Sequence, residues 1–378
     1  MLLLDVPDDI LSLVVDFLQT HTLSHTCGRA WQLLQRRYAH YRVEQQNLRA
    51  VAESLLQSKT YAVHLRSQPS AIRSALSTGW PNWRATRLVA DATQALASLK
   101  DALFMHTLRL DLSANSMGDA GAQALATLKQ APLLQTLSLD LSNNNMGDAG
   151  AQALASLKQA PLLHTLSLGL SNNRMGDTGA QALASLKQTP LLHTLSLDLS
   201  NNRMEDAGAQ ALASLQEAPL LHTLRLNLSG DFYGIRDAGA QALASLKKAP
   251  LLQILSLDLS HNSIGDAGAE ALASLKEAPF LHTLSLRLFE NDIRLVGARA
   301  LVSLKEAPLL HTLSLDLGSI SLRFESIRNK SRLGRFALSL GWPRWWVHAH
   351  GLDHPCPTRA TRATRATRTI AQPPAPNA

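Results

Sequence analysis

Two sets of ionisable side chains recur at fixed places in this sequence. Six histidines, His106, His164, His193, His222, His282 and His311, hold one repeated position. Imidazoles set a strand spacing apart are raw material for a metal site or a pH response. A metal centre needs converging ligands, and no single repeat supplies a second ligand type to a tetrahedral site. The six are therefore read as polar rings stacked along one edge, with no metal. The second set is a line of aspartates, Asp111, Asp140, Asp198, Asp258 and Asp316. Carboxylates in a row suit a basic partner through charge-assisted hydrogen bonds. They suit still better the solvent face of a soluble repeat copied many times. The row changes character at Arg225, Asn227, Arg287 and Phe289, beside an irregular stretch that carries Phe232 and Tyr233. Identical repeats discriminate poorly between partners, so a specific site is expected at these deviations. Catalysis finds no constellation: there is no P-loop, no GxGxxG after a strand, no HExxH and no nucleophile with its base. The chain reads as a non-enzyme without a cofactor.

These residues must be positioned by a repeated element. Leu108, Leu137, Leu166, Leu195, Leu224, Leu255, Leu284 and Leu313 are spaced by 29 residues, except for 31 between Leu224 and Leu255. Pro132, Pro161, Pro190, Pro219, Pro250, Pro279 and Pro308 keep the same beat. A period in the twenties is the mark of a solenoid. Within one repeat, Leu137, Leu139 and Leu141 alternate as a strand does. Their neighbours Ser138 and Asp140 then point to solvent. Asp148 stands at the expected start of a helix, where its carboxylate suits the free N–H groups of the first turn. Gly150, Ala153, Leu154 and Leu157 make one apolar helical stripe, and Pro161 ends the helix. One strand and one helix cannot bury their apolar faces alone, whereas stacked copies cover each other. The fold expected is an α/β solenoid of about eight repeats, a curved horseshoe with parallel strands inside and helices outside.

The pattern LxxLxLxLSxN followed by a DAGAxALA helix resembles the leucine-rich repeats of the ribonuclease-inhibitor type, over residues 103–317. A lone repeat-like helix, residues 91–102, precedes it. The usual pattern is LxxLxLxxN, so two residues lengthen the strand here and the register there is open. The resemblance implies that Asn115, Asn144, Asn173, Asn202, Asn262 and Asn291 stack as a ladder and bond backbone groups at the strand-to-helix turn. The ladder is interrupted at residues 230–237 and lost after Leu317.

The 378 residues are enough for more than one domain. Five segments are expected: 1–43, 44–90, 91–317, 318–351 and 352–378. The net charge of +7 is uneven. Residues 1–90 hold 10 Lys and Arg against 6 Asp and Glu, residues 91–317 hold 16 against 21, and residues 318–378 hold 10 against 2. The solenoid is mildly acidic and the basic character belongs to the ends, which argues against the repeats as a nucleic-acid cradle. Cys27 and Cys356 form no disulfide framework or zinc spacing. The first residues lack the form of a secretion signal, and no apolar run spans a bilayer. An intracellular monomer, cytoplasmic or nuclear, is expected.

In residues 1–43, Pro7 begins a helix with Ile10, Leu11, Val14, Val15 and Leu18 at helical spacing, and Leu23, Cys27, Trp31 and Leu34 mark a second. The VPDDIL start, the FL near the end of the first helix and the later GRAWQLL resemble the F-box. The resemblance implies docking to the linker protein of a cullin-type ubiquitin ligase, with the repeats holding a substrate. Val6, Pro7, Ile10, Leu11, Val14 and Leu18 would form part of the linker-binding face. The residues alone equally fit a helical cap over the first repeat. Residues 44–90 read as mostly helical, with Ala62 and Leu65 among their apolar positions. Trp80 and Trp83 recur as Trp342 and Trp345; they could anchor a partner, and are read rather as edge-covering elements or remnants of duplication. Residues 318–351 are a C-terminal cap. The tail carries Arg359, Arg362, Arg365 and Arg368 at every third position, then a Pro-rich end. It is expected to be disordered, with a weak capacity for nucleic acid or an acidic surface.

Overall fold

A computed structural model describes residues 38–43, 62–67, 94, 96–230, 234–318 and 321–325. Eight five-residue strands follow the leucine beat: β3 (Thr107–Asp111), β4 (Thr136–Asp140), β5 (Thr165–Gly169), β6 (Thr194–Asp198), β7 (Thr223–Asn227), β8 (Ile254–Asp258), β9 (Thr283–Arg287) and β10 (Thr312–Asp316). Each pairs in parallel with the next, Leu137 opposite Leu166 and Leu166 opposite Leu195. The two extra residues of the fifth repeat leave the register untouched, since Leu224 still faces Leu255. The lengthened strand is resolved in the same way. Leu141 lies just past β4, and its N–H still reaches the Gly169 carbonyl of the next repeat at 2.7 Å.

Helices return the chain between strands: α1 (Gly118–Leu125), α2 (Asp148–Ala155), α3 (Asp177–Ala184), α4 (Asp206–Ala213), α5 (Asp237–Leu243), α6 (Asp266–Ala273) and α7 (Leu295–Val302). Each runs directly into a 3-10 turn, as Ser156–Gln159 follows α2. This break corrects the expected stripe. Gly150, Ala151, Leu154 and Ala155 are buried in α2, while Ala153 is only half-buried. Leu157 then joins the core because a 3-10 turn brings back every third residue. One continuous core runs from Val63 to Leu315, filled almost entirely by Leu, Ala and Met. Helices are wider than the strand spacing of about 4.8 Å, so the stack curves with the sheet inside.

The sheet extends beyond the eight repeats at both ends. β1 (Tyr38–Val43) and β2 (Ala62–Ser67) add parallel strands before β3, with Val63 opposite Leu108. This overturns the helical reading of Ala62 and Leu65, and makes the last six residues of the 1–43 segment strand. The alternation of Val63 and Leu65 with His64 and Arg66 is the strand period, and Val63 is buried in the common core. At the other end β11 (Ser321–Glu325) turns back antiparallel on β10.

Candidate binding surface

The concave face is built by the alternation within each strand. In β4 the two leucines are buried, while Thr136, Ser138 and Asp140 are half-exposed. Parallel pairing without slippage turns these positions into columns. One column reads Arg109, Ser138, Ser167, Ser196, Arg225, Ser256, Ser285, Ser314. The next reads Asp111, Asp140, Gly169, Asp198, Asn227, Asp258, Arg287, Asp316. The face is thus a floor of small hydroxyl side chains, with exposed arginines at Arg109, Arg225 and Arg287.

The aspartates of this face do structural work as well. Asp140 Oδ1 accepts the Ser142 N–H at 3.0 Å, and Asp198 Oδ1 accepts both the N–H and the hydroxyl of Ser200. Asp111, Asp258 and Asp316 make the same turn with the residue two positions on. Each closes the strand end by mimicking a backbone turn. Asn227 Oδ1 does so equally with Ser229, so the turn needs the acceptor oxygen and not the charge.

The asparagine ladder lies behind the face, buried from Asn115 to Asn262 and half-buried at Asn291. Asn173 Oδ1 accepts the N–H groups of Asn144 and Met146 from the preceding repeat, while its amide donates to the carbonyls of Leu141, Leu170 and Ser171. Asn144, Asn202, Asn262 and Asn291 play corresponding parts. Asn115 sits at the start of the ladder, its N–H held by Asn144 Oδ1.

A second ladder was missed in the sequence. Asp148 does not cap its own helix. It is the first residue of α2, and its Oδ1 accepts the N–H groups of Gly176 and Gly179 in the following repeat, at 2.8 and 2.9 Å. Asp119, Asp177, Asp206, Asp237 and Asp266 repeat this contact. Each carboxylate therefore satisfies helix-start donors of its neighbour. The glycine of the DAGA motif makes room for it. A Cβ on Gly179 would stand 2.7 Å from Asp148 Oδ1, so this glycine leaves the room that the carboxylate fills. In α7 the aspartate position is Leu295, which is exposed, and no further helix follows among the described residues.

The histidines stand at the edge where chain enters the strands. His164–His193 and His193–His222 stack with ring centroids 5.4 and 5.3 Å apart. The Nδ1 atoms of His193 and His222 lie 2.6 and 2.7 Å from the carbonyls two residues back, so each Nδ1 donates there. The edge is held by backbone: the His164 carbonyl accepts the N–H groups of both His193 and Thr194. Gln135 and Gln253 occupy the position with the same backbone bonds, so nothing there requires an imidazole. Among the described residues no group of three or more His, Cys, Asp or Glu is placed to hold a metal ion.

Of the residues expected at a specific site, Arg225 and Asn227 lie on β7, Asp258 on β8 and Arg287 on β9. Arg287 Nη1 meets Asp258 Oδ2 at 3.3 Å. Phe289 packs edge-on against His261 with ring centroids 5.1 Å apart, and presses on the open side of Gly318. Phe232 and Tyr233 lie outside the described residues, as do Val6, Pro7, Ile10, Leu11, Val14 and Leu18, the five tryptophans named above and the arginine tail. Among the described residues, no helix is long and apolar enough to cross a membrane.

The Leucine Rich repeat family profile matches residues 104–126, 135–155, 163–184, 193–213 and 254–273. The chain therefore carries leucine-rich repeats, in five matched copies, and repeats of this kind form protein-binding modules. No curated protein matches the chain.

Proposed function

We propose that this protein is a two-ended adaptor. Its concave face receives a protein partner with basic side chains, and residues 1–43 dock the linker protein of a cullin-type ubiquitin ligase. The observation that carries the first half is the face itself. Eight strands in one register present hydroxyls, spaced carboxylates and the exposed Arg225 and Arg287 to solvent, with little apolar surface. Recognition there is polar and charge-assisted, and suits orientation and selectivity more than raw affinity. The second half is supported by the F-box resemblance of the segment around Val6, Pro7, Ile10, Leu11, Val14 and Leu18. A chain whose N-terminus does not dock a linker would use the same face as a scaffold or an inhibitor.

The face is tested with a photo-crosslinking residue placed at Ser167 of the full chain, and separately at Gln181 on the outer side of α3. The expected result is a discrete protein adduct from position 167 that is absent from position 181 and weakened by Asp140→Asn with Asp198→Asn. Equal adducts from both positions would remove the concave face as the binding surface.

A further inference from the structure

The carboxylates on the concave face are not evenly distributed. Along the column from β4 to β10 they fall on alternate strands, at Asp140, Asp198, Asp258 and Asp316, with Gly169, Asn227 and Arg287 between them. Neighbouring strands are about 4.8 Å apart, so successive carboxylates stand about 9.6 Å apart and the four span about 29 Å. The tail of the same chain carries four arginines, Arg359, Arg362, Arg365 and Arg368, at every third residue. In a polyproline-like extended chain three residues advance about 9.3 Å, and four such arginines span about 28 Å. Spacing and charge match over these four; Asp111, beside Asp140 on β3, is a fifth carboxylate outside the alternation.

The chemistry of the contact is already present on this face. Arg287 places a guanidinium nitrogen 3.3 Å from Asp258 Oδ2, while Asp258 Oδ1 keeps the Ser260 N–H. One oxygen of such a carboxylate thus holds the turn as the other receives an arginine. At 64% side-chain exposure Arg287 is free to yield its place. Between the first two carboxylates, Gly169 leaves the floor open; a Cβ there would come within 3.1 Å of Asp140 Oδ1. Reach is no obstacle. The 33 residues between Glu325, beside β10, and Arg359 can extend well over the length of the row, at about 3.3 Å per residue.

We propose that residues 359–368 dock along the concave face in this register, one arginine to each alternate carboxylate, and so compete with the basic partner. The occupant is the chain's own tail, and the proposal rests on the concave face being the binding surface. It makes that surface self-occupied, opened when a better-matched basic segment displaces the tail.

The test uses full-length chains and a fluorescent synthetic peptide covering residues 357–370. The recipient carries Arg→Gln at 359, 362, 365 and 368, which empties the face. The peptide is expected to bind it, and to bind the unsubstituted chain at least about fivefold more weakly because the native tail competes. Asp140→Asn, Asp198→Asn and Asp258→Asn together should weaken peptide binding about tenfold without unfolding, since Asn227 shows that an amide oxygen keeps the turn. A peptide of the same composition with arginine at every second position should bind several-fold more weakly. Equal binding by that isomer would overturn the register. Indifference to the three Asp→Asn changes would overturn the site, and equal binding by the two full-length chains would overturn the tail as occupant. A protein that still crosslinks a partner from position 167, yet fails these arms, retains its binding face and loses only the self-docking.

Discussion

Thr189 stands where the other repeats place alanine, at Ala131, Ala160, Ala218, Ala249, Ala278 and Ala307. It is 2% exposed and its hydroxyl has no hydrogen-bond partner. A buried hydroxyl without a partner costs about 1–3 kcal/mol. Thr189→Ala should therefore stabilise the protein by about 1–2 kcal/mol, read as a raised denaturant midpoint at constant slope. Asn173→Ala should do the reverse. It strips the Asn144 and Met146 N–H groups of their acceptor in a buried place, and a loss of about 2–4 kcal/mol is expected from two orphaned donors. An unchanged midpoint would mean that water replaces the amide. Gly179→Ala should cost about 1–3 kcal/mol through overpacking, and much of that loss should vanish when Asp148→Ala removes the carboxylate it strikes. Additive losses in this double variant would disconnect the glycine from the aspartate. The two ladders also show what a repeat hides. Asn144 and Asn173 were legible because the resemblance assigned them a role. Asp148 was assigned to its own helix, because a residue that bonds its neighbour's turn and one that bonds its own recur with the same period.

At the scale of elements, the repeat absorbs irregularity in its loops and spares the sheet. The 31-residue fifth repeat keeps Leu224 opposite Leu255, because a one-residue slip would turn every buried leucine outward. Deleting two of residues 231–233 should leave this register intact and change stability by less than about 1 kcal/mol, since loop length enters closure entropy only logarithmically. A large loss of cooperativity on deletion would show that the loop packs on the array. The strands β3–β10 were legible from alternating leucines, and so was the order of strand, turn and helix. β1 and β2 were not. Their sequences, YAHYRV and AVHLRS, lack the leucine beat, and a short alternating run is easily read into a longer helical pattern. The transition from helix to 3-10 turn at Ser156 was equally invisible, as both conformations bury Leu154 and Leu157 in a stripe.

At the scale of the molecule, the design is nearly one-dimensional. Each repeat is satisfied by its neighbours through leucines, the asparagine ladder, the aspartate ladder and bridges such as Lys187 to Glu217 and Lys247 to Glu277. In the last of these the Lys247 ammonium donates a hydrogen bond to the Glu277 carboxyl and holds it below the ordinary carboxylate range. Such an array is assembled from local terms, which leaves its inner face free to vary by single positions such as Gly169, Arg225 and Arg287. Those positions were visible in the sequence as departures from the repeat. Their geometry was not, because the concave columns and their alternate carboxylates arise only once the strands are in register. The proposal that this chain is an adaptor, docking a ligase linker at one end and leaving its concave face to a partner, is tested most directly by calorimetric titration of the full chain with purified F-box linker protein. Leu11→Asp and, separately, Asp140→Asn with Asp198→Asn serve as variants. Saturable binding that is lost with Leu11→Asp and retained when the concave carboxylates are neutralised is the predicted result. Absence of binding by a well-folded chain, by heat at two temperatures and by co-elution, would contradict it.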